Sequence, residues 1–185
     1  ADDGSSDNTA DIIRNTIDGR DNARLMVYDK NKGFAGSLNT IIAEAKGDFL
    51  AICDDDDVSA PERIRKQYER IVNYERKAGT DKVICHAART QIFPNGTNRY
   101  EPTMGTDETR ALAPNGPDVA DRILTGKLTP DVVGSCANCS RMARIGIFRE
   151  MKGYDAAIRR AEDTDFNIRF AIAGGHFVGI AEPLV

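Results

Sequence analysis

The sequence predicts an α/β fold with a mainly parallel central sheet flanked by helices. Short apolar, strand-like runs alternate with amphipathic helical stretches through the first half of the chain, as in parallel sheets covered by helices. Two acidic clusters, Asp2-Asp3 and Asp54 to Asp57, each follow a predicted strand. Because ligands of such sheets bind beyond the carboxyl ends of the strands, we expect both clusters on one rim.

The elements of the first half begin and end at residues with clear local preferences. Good N-cap residues stand at 7–9, and isoleucines at helical spacing after them predict the first helix. Gly47 ends the helix predicted over 34–46. Pro61 suits the first turn of a helix that continues to about Lys77. Strands are predicted at 24–28, 48–53 and 82–93.

The second half is predicted to be less regular. Asn95-Gly96 predicts a hairpin-like turn after the long strand. The polar segment 98–116 carries few periodic apolar residues and is predicted to be a mobile loop. Beyond it, the pattern predicts helices at 117–124, 145–151 and 162–173, and strands at 132–142 and 177–180.

Composition restricts the classes of function. The chain has 185 residues, 41% of them hydrophobic and 29% charged, which suits a single domain with a sizeable core. A net charge of −4 argues against a nucleic-acid partner, which needs a basic face. No apolar run reaches the roughly 18 residues that a membrane span needs.

Cysteine use favours a reduced, cytoplasmic setting, with peripheral membrane association left open. Cys53 and Cys85 lie in apolar, strand-like runs and are predicted to be buried. Cys136 and Cys139 form a single C-x-x-C, and no second pair completes a zinc site.

The aspartate quartet, Asp54 to Asp57, is the clearest chemical signal. Adjacent carboxylates at a partly buried strand end repel one another, and Mg²⁺ or Mn²⁺ relieves the repulsion. The plain alternative is a solvated loop that caps the next helix, but the apolar strand before the quartet favours a metal. An EF-hand fails on spacing, because Ser59 stands where glycine is needed and Arg65 where glutamate is needed.

A second acidic group, Glu162-Asp163-Thr164-Asp165, opens the last predicted helix. A helix N-terminus favours carboxylates, so an ordinary acidic cap is the plain interpretation. The functional alternative is a general base for an incoming hydroxyl.

The order of the motifs resembles family 2 glycosyltransferases of the GT-A fold. The donor half of that family is similar to D-D-G-S-S-D-N-T at 2–9, N-K-G-F-A-G-S-L-N at 31–39 and G-D-F-L-A-I-C-D-D-D-D at 47–57. Its acceptor half is similar to G-Y-D at 153–155 and E-D-T-D-F at 162–166. The resemblance implies one GT-A domain over 1–185, with a nucleotide-sugar-binding half (1–93) and an acceptor-binding, catalytic half with a small β region (94–185).

For the donor, the resemblance implies a nucleotide-diphosphate sugar, with UDP as the expected nucleotide. Asp3 matches the aspartate that hydrogen-bonds the base. Asp54 and Asp56 match the D-x-D pair. Asp56 is the expected direct ligand of Mn²⁺ or Mg²⁺, and Asp54 or Asp55 is expected to meet the ribose or the sugar.

For the acceptor, the resemblance implies an inverting transfer to a hydroxyl of a glycan or lipid-linked molecule. Asp163 matches the catalytic base, and Glu162 is expected to support or orient it. The sequence departs from the family in three places. The family's first strand–helix unit would precede Asp2, Leu38 replaces a basic residue, and a metal-completing histidine would lie beyond Val185. An N-terminally incomplete domain is therefore expected.

Two other functions stay open at this point. A noncatalytic or truncated nucleotide-sugar-binding domain would keep the fold without the transfer. A nucleotidyltransferase would need a glycine-rich phosphate loop with basic residues near the N-terminus, and no such loop is visible in the sequence.

Overall fold

The computed structural model of the chain describes residues 1–127, 129 and 132–185. Helices and strands alternate through the first half and mix in the second, so the α/β class is confirmed. The helices are α1 (Thr9–Ile17), α2 (Gly33–Glu44), α3 (Arg63–Ala78), α4 (Pro117–Thr125), α5 (Ile145–Glu150) and α6 (Glu162–Ile172). The strands are β1 (Phe49–Ala51), β2 (Val83–Ile92), β3 (Asn98–Glu101), β4 (Met142–Arg144) and β5 (His176–Pro183).

The sheet is mixed, with β2 at its centre. The strands follow the order β1-β4-β2-β3, and β5 pairs with β2. The β2–β5 pair is parallel, whereas β1–β4, β4–β2 and β2–β3 are antiparallel. The predicted parallel character is thus found in the β2–β5 pair. The other three pairs depart from it because β4 and β3, which the sequence did not identify as neighbours, return in the opposite direction.

The predicted strand at 24–28 is reduced to one parallel bridge between Asp2 and Val27. The Asp2 N–H donates to the Met26 carbonyl at 2.7 Å, and the Tyr28 N–H donates to the Asp2 carbonyl at 3.0 Å. This bridge fixes the Asp2-Asp3 turn beside the loop that leads into α2.

Two apolar clusters cover the two faces of the sheet. Alternate residues of β2 point to opposite faces, as the strand period requires: Ile84 joins one cluster, and Val83 and Cys85 join the other. Residues of α2, α4, α5 and α6 pack on the first face, and Ile71 and Tyr74 of α3 pack on the second. Helices therefore flank the sheet on both sides.

Two segments of the second half differ from their predictions. The loop predicted at 98–116 contains strand β3 and the fully buried Met104, so the prediction of a mobile loop is wrong for its first part. The strand predicted at 132–142 is instead an irregular run with a 3₁₀ turn at Asn138–Ser140, followed by β4. Isolated buried side chains hold these segments in place. Isolated buried residues do not produce the regular apolar spacing from which a strand or helix is predicted.

The hairpin turn is confirmed, since Phe93 N–H donates to the Thr97 carbonyl at 2.9 Å and Gly96 adopts a φ of 80°. No helix within the described part of the chain has the length and apolarity to cross a bilayer.

Candidate functional site

The acidic loop (residues 53–59) leaves the sheet where β1 ends. Asp54 and Asp57 are half-buried, whereas Asp55 and Asp56 are exposed. The Asp57 N–H donates to the Asp54 carbonyl at 3.3 Å, so the loop turns back on itself. Cys53 is exposed, contrary to its predicted burial, because the ladder of β1 stops at Ala51.

Three ligand atoms converge at this loop. One atom each of Asp54, Asp57 and Cys139 lie within 4.8 Å of one another. Oδ1 of Asp54 is buried and has no hydrogen-bond partner among the described residues. A buried carboxylate oxygen without a donor is costly, and a divalent cation would satisfy it. The residues present therefore fit a cation. Asp56, the expected direct ligand, is outside this group but lines the same cavity.

The Asp54 carboxyl is influenced by charges from the acidic loop and from α6. The pKa of Asp54 is raised, first by burial and then by the negative charges of the other three aspartates and of Glu162. Glu162 lies 108 positions further along the chain, yet its charge acts at the acidic loop. Glu162 is the smallest of these causes, and neither Glu162 nor Asp163 is among the residues that line the cavity beside the acidic loop.

The cavity beside the acidic loop has a volume of about 720 Å³. Its walls come from the acidic loop, the 89–92 part of β2, the 183–185 segment and Cys139. Ligand-binding clefts typically have volumes of about 300–1,000 Å³. Arg89 adds a positive charge to an otherwise acidic wall. The cavity therefore offers both cation ligands and an anion partner.

A buried arginine, Arg63, joins the two ends of the acidic loop. Arg63 of α3 is 1% exposed. It donates to the Ile52 carbonyl at 2.6 Å and to Ser59 Oγ at 2.7 Å, which joins the beginning and the end of the loop. Burial lowers the pKa of this guanidinium. The hydrogen bonds that it donates to Ile52, Ser59 and Gln67 go to neutral groups. Asp57 is the one aspartate of the quartet among the charges that act on this guanidinium, and its effect is small.

A second buried arginine, Arg141, supports α6. It is 0% exposed and donates to Tyr154 Oη and to Asn167 Oδ1, both at 2.6 Å, and to His86 Nε2 at 3.4 Å. Burial, and then the charges of Arg141 and Arg63, hold the pKa of His86 well below its usual range, so His86 is a neutral acceptor. This network fixes the rotation of α6 about its axis, because Asn167 lies on that helix.

Glu162 and Asp163 open α6, directly after Ala161, which has a φ of 63°. That left-handed conformation is uncommon for a residue other than glycine and sets the direction in which the helix starts. The pKa of the Tyr154 phenol is raised by burial, with the Asp163 and Glu162 charges among the smaller causes. Tyr154 accepts a hydrogen bond from Arg141 at 2.6 Å, so both charges act on a member of the Arg141 network.

Asp3 contacts the loop that leads into α2 and not the acidic loop. Its Oδ1 accepts the Lys32 N–H at 2.8 Å, while the buried Asp2 accepts the N–H groups of Gly4 and Ser5 through its Oδ1. Asp3 does not line the cavity of the acidic loop. The loop that it holds borders a second cavity of about 520 Å³, at 31–35 and 156–159.

Sequence reasoning did not identify Asp57 and Cys139 as partners of Asp54, nor the two buried arginines. Arg141 stands directly before the apolar pair Met142-Ala143, but this pattern does not predict the burial of its guanidinium. The other contacts depend on chain segments far apart in sequence.

Comparisons with known proteins agree on one family. The sequence model described as Glycosyl transferase family 2 matches residues 1–148. EpsE of Bacillus subtilis, which is named as a glycosyltransferase, is 28% identical over 186 residues, covering 99% of this chain and 59% of EpsE. The succinoglycan biosynthesis protein ExoO of Rhizobium meliloti is 38% identical over 69 residues, covering 37% of this chain and 19% of ExoO. The chain thus spans less than two thirds of these relatives.

Solved structures show the same fold. S. aureus TarS 1–349 in complex with UDP superposes with a TM-score of 0.65 at 16% identity, covering 98% of this chain and 47% of that one. The complex of the same fragment with UDP-GlcNAc gives a TM-score of 0.64 at 16% identity, covering 98% and 46%.

Proposed function

Since the chain belongs to glycosyl transferase family 2, we propose that it transfers a sugar from a UDP-sugar to an acceptor hydroxyl with inversion at the anomeric carbon. Its α/β fold is of the GT-A type, as its structural neighbours show. The acceptor that we propose is a glycan or lipid-linked molecule, and the name of one relative, succinoglycan biosynthesis protein ExoO, agrees with a role in glycan synthesis.

One set of contacts supports this proposal: the Arg141 carbonyl accepts the Ile52 N–H at 2.9 Å just before the acidic loop, and the Arg141 guanidinium donates to Asn167 Oδ1 of α6 at 2.6 Å. A transferase of this kind needs the donor's diphosphate and the acceptor's hydroxyl side by side. The negative charge of the diphosphate must be stabilised, and the proton of the hydroxyl must be removed. Arg141 thus links the end of the strand that precedes the acidic loop to helix α6, whose first turn carries Glu162 and Asp163.

The donor side rests on carboxylates. Asp54 and Asp57, together with Asp56, would hold Mn²⁺ or Mg²⁺, as the unpartnered Oδ1 of Asp54 suggests. When bound, the cation supplies positive charge for the departing diphosphate. We assign contact with the nucleotide base to Asp3, and contact with the ribose or sugar to Asp54 or Asp55.

On the acceptor side, Asp163 receives the proton of the acceptor hydroxyl. The acceptor oxygen forms a bond to the anomeric carbon while the bond between that carbon and the diphosphate oxygen breaks, and UDP leaves. One carboxylate is enough for this step, and no covalent intermediate with the protein forms. Glu162 orients the site, and the Arg141–Asn167 contact holds α6 in place.

The test combines binding and transfer. We expect UDP to bind in the presence of Mn²⁺, measured by calorimetry, and Asp163→Asn to keep that binding while the transfer rate falls by about 100- to 10,000-fold. Asp165→Asn is the matched control, because Asp165 is on the same helical turn but pairs with Arg169 at 2.9 Å. It should keep its transfer rate.

Two results would contradict the proposal. If no uridine or other nucleotide diphosphate binds, the transferase assignment fails. If Asp163→Asn transfers sugar as fast as the unchanged protein, Asp163 is not the base. Binding without any transfer, in a protein of the full length of its relatives, would instead indicate a noncatalytic nucleotide-sugar-binding domain.

A further inference from the structure

Cys139 lies at the acidic loop although its motif gave no reason to expect it there. It is 7% exposed and belongs to the 3₁₀ turn Asn138–Ser140. Its Sγ is one of the three ligand atoms that lie within 4.8 Å of one another, with a carboxylate oxygen each of Asp54 and Asp57. The donors therefore come from two separate segments and include one sulfur.

Buried hydrogen bonds to the residues on both sides of Cys139 fix the position of its thiol. Tyr154 Oη donates to Asn138 Oδ1 at 2.6 Å, and Gln67 Nε2 donates to the Ser140 carbonyl at 2.8 Å. Gln67 is fully buried and donates also to the Cys85 carbonyl at 3.1 Å. The turn is thus held rigidly against β2 and α3, and the thiol is directed at the acidic loop by this framework.

The carboxylate side of the group lacks a partner that a cation would provide. Oδ1 of Asp54 is buried and unpartnered among the described residues. Arg89 Nη1 donates to Cys139 Sγ at 3.4 Å. Burial nevertheless raises the pKa of the Cys139 thiol, and Arg89 opposes that rise only in part. Two carboxylates and a thiolate can each give one electron pair to a single ion.

We propose that Cys139 is a thiolate ligand of the cation held by the acidic loop. The inference rests on the proposed function for the cation's role, since this is the ion that the donor's diphosphate would share. On binding, the Sγ–H proton passes to solvent as the metal–sulfur bond forms, one proton for each ion. No oxidation or reduction is involved.

A sulfur ligand changes which ions the site prefers. Carboxylates and water suit Mg²⁺ and Mn²⁺, whereas thiolates select softer ions such as Zn²⁺ and Cd²⁺. The site therefore binds Cd²⁺ and Zn²⁺ more tightly than Mg²⁺, and these ions displace Mn²⁺ from it.

Cd²⁺ is the direct probe, because a Cd²⁺–thiolate bond has a charge-transfer absorption in the ultraviolet. Titration of the chain with Cd²⁺ is expected to produce this absorption and to saturate at one ion. Cys139→Ser should abolish it and weaken Cd²⁺ binding by about tenfold or more, while Mg²⁺ affinity changes by less than about twofold. Far-ultraviolet circular dichroism checks that the variant is folded.

Two cysteines serve as matched controls. Cys136 is the other member of the C-x-x-C, and Cys53 is the exposed cysteine at the start of the acidic loop. Cys136→Ser and Cys53→Ser should both keep the absorption and the Cd²⁺ affinity. The inference is overturned if the absorption survives in Cys139→Ser, or if a control variant loses it instead.

The two proposals fail in different ways. If UDP and Mn²⁺ bind but Cd²⁺ gives no thiolate absorption, Cys139 is not a ligand and the proposed function stands. If Cd²⁺ binds through Cys139 while no nucleotide diphosphate binds, the transferase assignment fails and the thiolate site remains.

Discussion

Replacing Asp54 by asparagine is expected to stabilise the folded chain while weakening its cation binding. Asp54 is half-buried, its Oδ1 lacks a partner among the described residues, and four other carboxylates raise its pKa in addition to burial. Asparagine keeps the shape of the side chain and removes the charge. A residue kept for binding rather than for stability should show these opposite effects.

The distances give the size of the effect. The ligand atoms of Asp54 and Asp57 lie within 4.8 Å of one another. At that separation, two unit charges repel by about 0.9 kcal/mol in water and by about 3.5 kcal/mol at an effective dielectric constant of 20. Solvent screens a half-exposed pair, so the lower figure applies. We expect Asp54→Asn to raise the free energy of unfolding by about 1 kcal/mol at pH 7 with EDTA present.

The gain depends on pH with a definite sign. The pKa of Asp54 is raised above its usual 3.8 in the folded chain, so the native state binds the proton more tightly than the unfolded state does. Below pH 3.8 the carboxyl is neutral in both states, and the unchanged protein should match Asp54→Asn. The unchanged protein then loses stability relative to the variant as the pH rises through the native pKa of Asp54.

Urea denaturation followed by circular dichroism measures both effects. At 100 times its dissociation constant, Mn²⁺ should stabilise the unchanged protein by about 2.7 kcal/mol and Asp54→Asn by much less, so the order of stability reverses. Asp7→Asn is the control and should lower the free energy of unfolding, because hydrogen bonds from Thr9 lower the pKa of Asp7 and favour its charged form. If Asp54→Asn destabilises the chain in EDTA as Asp7→Asn does, Asp54 is a structural cap and the reasoning is refuted.

Two further predictions concern the framework of the site. Arg141→Met removes three buried hydrogen bonds and should lower the free energy of unfolding by about 3 kcal/mol. The same change at the exposed Arg160 should lower it by less than about 0.5 kcal/mol. Equal urea midpoints for the two variants would contradict this prediction. Gly105→Ala places a Cβ 2.0 Å from the Phe177 carbonyl oxygen at a φ of 77° and should cost about 3 kcal/mol. Gly19→Ala has a similar φ of 70° with nothing within 4 Å, so thermal denaturation should show a smaller loss, of about 1 kcal/mol.

Local signals were enough to predict several elements close to their observed bounds. Helices α2, α5 and α6 begin and end within a few residues of the predicted ranges, because an apolar stripe and its terminal residues lie within one short stretch of chain. The hairpin at Asn95-Gly96 was equally local. These same signals placed the aspartate quartet close behind a strand, although β1 ends at Ala51, two residues before the end of the predicted strand.

Pairings between distant segments were beyond that reasoning. The antiparallel β1–β4 pair joins residues more than ninety positions apart, Phe49 with Arg144, and no periodicity within either strand specifies its neighbour. The parallel sheet predicted from alternation therefore became a mixed one. Buried arginines were missed for a similar reason: Arg63 and Arg141 are buried only because carbonyls, amides and a phenol from other segments surround their guanidinium groups.

The sequence by itself determined the family, the α/β class and the types of chemical group available, since each is written in motifs of a few consecutive residues. Only the tertiary structure decided which carboxylates converge. Within the acidic loop, Asp57 lies near Asp54 while Asp56 is exposed, and the 3₁₀ turn Asn138–Ser140 places Cys139 beside the two carboxylates. That choice depends on backbone hydrogen bonds and buried arginines that act across the fold, and such contacts leave no pattern in the order of the residues.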